Sequence, residues 1–194
     1  MTLTIVDWLV IGGYFALNLA IGLYYARNWD SGLGLFRDGV LRVPGRKPVA
    51  RPDLAGSFDL IGFSYYSTIG MRNGHSATYP RDVPRSPLGY GIWADGLGVV
   101  LDRLHEELPS TPLLVAEFGI GTHDDLKRGA YLYRGMEVTA HAIARGVDVR
   151  GFFHWTGVDN YEWLHGYDVA FGIIDRNRNI RSSADILRIE TRRG

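Results

Sequence analysis

Apolar residues gather into three short runs in the second part of the chain, each bounded by turn-forming residues. The runs are Phe58 to Tyr66, Leu113 to Phe118 between Pro112 and Gly119, and Val149 to Trp155 after Gly146. Each is nearly continuous rather than alternating, the pattern of a parallel strand covered on both faces. Two helical spans separate them. From Ile92 to Leu108, the residues Ile92, Leu97, Val100, Leu101 and Leu104 form one broad apolar face, opposite Asp102, Arg103, Glu106 and Glu107. From Lys127 to Arg145, Leu132, Met136, Ala140 and Ile143 recur at helical spacing, and Gly146 supplies the stop. Strand, helix, strand, helix, strand predicts an α/β fold with a parallel sheet.

The beginning of the chain follows a different pattern. From Trp8 to Ala26 there is no charged residue, and Asp7 and Arg27 bracket the run. About 20 apolar residues cross a bilayer as a helix, so residues 1–28 are expected to hold one transmembrane helix. The run lacks the basic start and small-residue cleavage site of a signal peptide. Arg27 on its C-terminal flank places the following residues in the cytoplasm. Gly32 to Gly45 reads as a turn-rich connector, and residues 29–194 form the remaining domain. No internal repeat or low-complexity run interrupts it.

Composition narrows the chemistry. The chain has 194 residues and a formal net charge of zero, so nothing favours nucleic acid or another polyanion as partner. Cysteine is absent, which removes disulfides and thiolate metal sites. The six histidines are scattered, and His105-Glu-Glu-Leu lacks the second histidine of the His-Glu-x-x-His zinc motif. No metal and no cofactor are expected. Arg176, Arg178 and Arg181, interleaved with Asn177 and Asn179, read as a solvated turn.

The densest chemistry lies between Trp155 and Gly172. Five large aromatics (Trp155, Tyr161, Trp163, Tyr167 and Phe171), Glu162 and the pair Asp159-Asn160 fall in a loop directly after an apolar run. Flat rings stack on the apolar faces of sugars, and a carboxylate accepts hydrogen bonds from adjacent hydroxyls. Loops after strand ends are where α/β folds hold ligands. Glu117 ends the middle run at such a strand terminus.

This stretch closely resembles the C-terminal signature of glycoside hydrolase family 1, the β-glucosidase family. The matching positions are Trp155, Asp159, Asn160, Glu162, Trp163, Gly166, Tyr167, Phe171 and Gly172. Tyr161 replaces a Phe, and Ala170 stands where the family usually has Arg. The resemblance covers about residues 32–187. It implies a partial (β/α)₈ TIM barrel, the three runs being strands six to eight with their helices. It implies a retaining hydrolase of β-glucosides or β-galactosides. Glu117 with Gly119 aligns with the family's nucleophile motif Ile-Thr-Glu-Asn-Gly, with Ala116 and Phe118 as departures. Tyr66 takes the place of the Tyr that hydrogen-bonds the nucleophile. Trp155, Glu162, Trp163 and Phe171 take the places of sugar-pocket residues. Tyr65 reads as barrel filling, and Asp159 and Asn160 as residues that shape the loop through the backbone. Ser64 stands in an Asn position, which weakens a polar role there.

The family's acid/base glutamate belongs to an Asn-Glu-Pro motif, and this sequence has none. The chain alone is therefore expected to hydrolyse no ordinary β-glucoside. Residues 4–27 resemble the first membrane helix of sodium:solute symporters. The change of character near Asn28 leaves two alternatives beside the hydrolase: a non-catalytic fragment tethered to a membrane through residues 8–26, or a chimeric gene product.

Overall fold

A computed structural model describes residues 29–42, 46–73 and 75–190. The chain divides into two compact units, residues 1–58 and 59–194. The membrane helix expected over residues 1–28 lies outside the described residues. Among the described residues no helix is long and apolar enough to cross a membrane.

In the first unit, helix α1 (Trp29–Asp38) occupies part of the segment expected as a connector. Two local features explain the difference. Phe36 packs edge-on against Phe58 with ring centroids 5.2 Å apart. Gly39, at φ +71°, provides the left-handed exit that ends a helix. Strands β1 (Val40–Leu41) and β2 (Val49–Ala50) then pair antiparallel, and a short 3₁₀ turn covers Pro52–Leu54.

The second unit is built on a parallel sheet. Its elements are β3 (Ile61–Tyr65), the hairpin strands β4 (Gly70–Arg72) and β5 (His75–Ala77), α2 (Gly96–Glu107), β6 (Leu113–Phe118), α3 (Asp125–Ala144), β7 (Val149–His154) and α4 (Ala184–Glu190). The sheet order is β3-β6-β7, with β6 central and both pairings parallel. The expected α/β alternation is present, with the strand and helix ends trimmed by a few residues. Helix α2 starts at Gly96 rather than Ile92 because the preceding residues are committed elsewhere. The Ile92 amide donates to Pro84 O, the Trp93 carbonyl accepts the Tyr65 hydroxyl, and the Asp95 carboxylate pairs with Arg134 instead of capping. Helix α3 starts earlier than Lys127 because the Asp124 side chain accepts the Lys127 amide as an N-cap.

Burial corrects two readings of pattern. The runs alone read as strands covered on both faces, whereas three strands of an eight-stranded barrel are expected to leave one core face open, as observed. The helices cover the face carrying Leu113, Val115 and Phe118, all buried. On the opposite face Gly62, Leu114, Ala116 and Gly151 are neighbours, Ser64 is exposed, and Phe153 remains 57 % exposed. The second correction concerns α3. Of the face expected from spacing, Leu132 is buried, but Ala140 and Ile143 are exposed. The buried face is Arg128, Tyr131, Leu132, Gly135, Val138, Thr139 and Ala142. Gly135 sets this rotation: a Cβ there would lie 2.3 Å from Phe118 Cζ, so the helix backbone sits directly on that ring. Phe118 is the hub of the core, stacked at 4.6 Å on Tyr131 and at 6.0 Å on Tyr65, and tilted against Phe152 at 5.1 Å. Tyr65, buried and bonded to Trp93 O, is the packing residue the sequence suggested.

Candidate active site

The site forms at the C-terminal ends of β3, β6 and β7, where the sheet departs from regular register. Phe63 faces Val115, but the next pair is Ser64 with Glu117, so Ala116 is skipped. The same region is irregular against β7, between Val115 and Phe118. Such bulges re-aim side chains beside active sites. Here the bulge brings Glu117 alongside Ser64 while Phe118 enters the core.

Glu117 Oε2 accepts two hydroxyl hydrogen bonds, from Tyr66 at 2.5 Å and from Ser64 at 3.0 Å. The Ser64 bond shows that a serine in this position still takes a polar part in the site. The Tyr66 main chain is held by the Tyr131 hydroxyl, which donates to Tyr66 O at 2.8 Å. Its ring meets Phe171 edge-on at 5.9 Å. Burial pushes the Tyr66 hydroxyl well above the usual tyrosine range, and the hydrogen bond to Glu117 and the charges of Glu117 and Glu162 add to this. The group is therefore a fixed donor at neutral pH, and it feels both carboxylates.

The loop after β7 is pinned at several points. Trp155 N–H donates to Phe118 O, and the Trp155–Thr156 peptide is cis. Gly119 passes so close to the Trp155 carbonyl that a Cβ would lie 2.1 Å from that oxygen. Asp159 accepts the Gly172 amide and a two-pronged ion pair from Arg181 at 2.9 and 2.7 Å. Burial alone would raise the Asp159 pKa, but the Arg181 guanidinium and the Gly172 N–H outweigh it and hold the carboxyl below its ordinary value. Arg181 is thus a loop strut, not part of a solvated turn. Asp159 shapes the loop through the backbone, as expected. Asn160 does not: its Nδ2 donates to Glu162 Oε1 at 2.6 Å. The tight turn from Glu162 to Gly166 closes with reciprocal backbone bonds of 2.7 and 2.6 Å.

These pieces surround a cavity of 310 Å³. Tyr66, Trp155, Glu162, Trp163 and Phe171, five of the six residues singled out in the sequence, line it. Glu117 is not among the lining residues and connects to the cavity through the Tyr66 hydroxyl. Phe171 and Trp155 form inner walls, whereas Trp163 stands at the rim with 91 % of its surface exposed. Sequence reasoning missed Ser67, Ser86, Leu88, Tyr90 and Ile120, which complete the lining from the segments after β3, β5 and β6. Their signal was weak, because no aromatic-carboxylate cluster marks those segments. Among the described residues no group of three or more His, Cys, Asp or Glu could hold a metal ion.

The site thus joins a strand-end glutamate, bonded by a tyrosine, to an aromatic-lined cavity holding a second glutamate on a parallel α/β sheet. The chain belongs to glycosyl hydrolase family 1, whose family model matches residues 47–190. It is 30 % identical over 146 residues to a bifunctional β-D-glucosidase/β-D-fucosidase of Bifidobacterium breve, a match covering 59 % of this chain and 32 % of that protein. It is also 30 % identical over 164 residues to a β-galactosidase of Saccharolobus solfataricus, covering 75 % of this chain and 33 % of that protein. In structure it resembles a β-glycosidase from Pyrococcus horikoshii, with a TM-score of 0.66 and 26 % identity over 82 % of this chain and 40 % of that one. The chain thus spans about a third of the length of the curated relatives it matches.

Proposed function

We propose that this chain carries the nucleophile side of a retaining β-glycosidase site and binds the pyranose of β-glucosides or β-galactosides. Glu117 is the nucleophile. Its Oε1 forms the bond to the anomeric carbon as the glycosidic C–O bond breaks. Tyr66 orients Glu117 through the hydrogen bond from its hydroxyl to Oε2. Glu162, held by Asn160, accepts sugar hydroxyls, and Trp155, Phe171 and Trp163 bound the ring. The observation that carries this reading is that the Tyr66 hydroxyl bonds Glu117 and lies in the field of Glu162 on the wall of one cavity.

Departure of an ordinary alcohol needs protonation by a second carboxyl group, a contribution of about 10²–10⁴-fold. With no Asn-Glu-Pro motif in these residues, the reading requires a leaving group that departs as an anion. The test is 2,4-dinitrophenyl 2-deoxy-2-fluoro-β-glucoside, followed by intact mass and peptide mapping. One fluoroglucosyl unit on Glu117, with dinitrophenolate released, is the expected result, and Glu117→Gln takes up none. Folded protein that stays unlabelled at saturating reagent refutes the proposal. Cellobiose is expected to remain uncleaved; turnover abolished by Glu117→Gln would show that an acid/base group is present after all.

A second reading concerns location and rests on the charge-free run from Trp8 to Ala26. A helix there would tether the hydrolase part on the cytoplasmic side of a membrane. The likeness of residues 4–27 to a symporter helix is one of sequence alone. Sedimentation with membranes, lost on deleting residues 1–27, is the expected result; equal sedimentation of both forms refutes it.

A further inference from the structure

A buried guanidinium that the proposed chemistry leaves unused sits in the first turn of α3. Arg128 has a side chain 1 % exposed and does not line the cavity. Taking a charge out of water is costly, so its partners show what the group is held for. Nη1 donates to Asp125 Oδ1 at 2.5 Å. Nη2 donates to two main-chain carbonyls, Thr122 O and, at 3.0 Å, Ala170 O. Nε finds no partner among the described residues, so the group is fixed by its two Nη ends. Thr122 lies in the loop after β6 and Ala170 in the loop after β7. One nitrogen therefore joins two loops that are far apart in sequence, and the Thr122 amide, donating to Ala170 O at 2.8 Å, closes the same junction.

Both loops form walls of the cavity. Gly119, Ile120 and Gly121, just before Thr122, line it, and so does Phe171, directly after Ala170. The loops meet without slack: a Cβ at Gly121 would lie 2.2 Å from Val169 Cγ1 and 2.9 Å from Phe171 Cε2. Phe171 in turn meets Tyr66 edge-on, and Tyr66 bonds Glu117. The carboxylate partner makes a separate set of contacts. Asp125 accepts the Ser182 and Ser183 hydroxyls, both at 2.7 Å, and the Ser183 amide at 2.9 Å, which fastens α3 to the start of α4. The network thus has a cavity end and a helix end. A planar fork serves both at once, whereas a lysine has a single nitrogen.

We infer that Arg128 is a positioning residue for the sugar cavity: by holding the Thr122 and Ala170 carbonyls together it fixes the spacing between the wall at residues 119–121 and the Phe171 ring, and with it the grip on the pyranose. The inference rests on the sugar-pocket reading above. Arg128 touches no substrate. Glu117, Ser64 and Tyr66 are held by β3, β6 and their own hydrogen bonds, so the effect falls on binding rather than on bond formation.

The test follows labelling of Glu117 by 2,4-dinitrophenyl 2-deoxy-2-fluoro-β-glucoside over a range of concentrations. Half-saturation, limiting rate, final labelled fraction and urea midpoint are measured for the unmodified protein, Arg128→Lys and Ser183→Ala. Arg128→Lys is expected to raise the half-saturation concentration about tenfold and to change the limiting rate less than about twofold. Ser183→Ala, which cuts only the helix end, is expected to lower the urea midpoint and leave half-saturation unchanged. Should Arg128→Lys not fold, Arg128→Met/Asp125→Asn, which strands no buried charge, is expected to show the same rise. A lower midpoint or labelled fraction at unchanged half-saturation in the Arg128 variants means a purely structural residue and overturns the inference. A limiting rate that falls tenfold at unchanged half-saturation does the same, as does failure of both Arg128 variants to fold. Folded unmodified protein that takes up no label removes the sugar-pocket reading and this inference with it; normal labelling with an unshifted Arg128→Lys removes this inference alone.

Discussion

Both hydroxyl donors on Glu117 converge on Oε2, so the other oxygen is the one available to an anomeric carbon. A hydrogen bond to a charged group contributes about 1.5–3 kcal/mol, so losing either donor is consequential. Ser64→Ala is expected to slow fluoroglucosyl labelling about tenfold, and Tyr66→Phe at least as much, with the thermal midpoint little changed. An unchanged labelling rate in Ser64→Ala would remove that residue from the site. The sequence pointed to Tyr66 and Glu117 but not to Ser64, because its partner depends on a bulge that no residue pattern announces. The role of Arg181 was hidden for a similar reason: Asp159 is 22 positions away, and the local composition looked like an exposed turn. The Asp159 side chain is only 10 % exposed. Arg181→Met would strand it, at a cost of about 3 kcal/mol measured by urea unfolding. A cost below about 0.5 kcal/mol would show the pair to be incidental.

At the level of elements, the strands and helices were legible because long apolar runs and glycine stops are strong local signals. The orientation of α3 was not. Its sheet-facing side is made of Arg128, Gly135 and Thr139 as well as apolar residues, and apolar spacing cannot find such a face. Contact with Phe118 decides it. Gly135→Ala therefore pushes a methyl group into that ring and is expected to destabilise by about 1–3 kcal/mol, although alanine is the better helix former. Phe118→Ala should cost about 3–5 kcal/mol. Phe153→Ala, on the open face of the sheet, should cost under about 1 kcal/mol. Denaturant midpoints of the three variants check the order; a Phe153 cost equal to that of Phe118 would mean the open face is covered in solution.

For the molecule as a whole, Asp125 and His154 contribute, together with Asp159, to the response to acid. Burial alone would raise the pKa of Asp125, but hydrogen bonds from Ser183, Ser182 and Arg128 outweigh it and hold it well below the ordinary value. Its contribution is present above the unfolded value of about 3.9 and is lost as pH falls from there toward the folded value. His154 is the opposite type of group. Burial lowers its pKa, so the folded protein keeps it neutral while the unfolded chain gains a proton below about pH 6.5. Stability should be flat above about pH 7, fall first below about 6.5 and fall again below about 4. Urea midpoints from pH 3 to 8 check this, and His154→Phe should abolish the first step only. A single decline below pH 4 in the unmodified protein would contradict the role given to His154. At this scale the order of elements was readable from the apolar runs and the family from one C-terminal signature. The uncovered sheet face followed from the strand count, because three strands of an eight-stranded barrel leave one core face open.

The irregularity at Ala116 places the proposed nucleophile, Glu117, and the central ring of the core, Phe118, on consecutive residues. Aim and cohesion are therefore geared to one another. A replacement that loosens the interior at Phe118 would swing Glu117 away from Ser64 and Tyr66, so catalytic damage could arise from a residue that no substrate ever reaches.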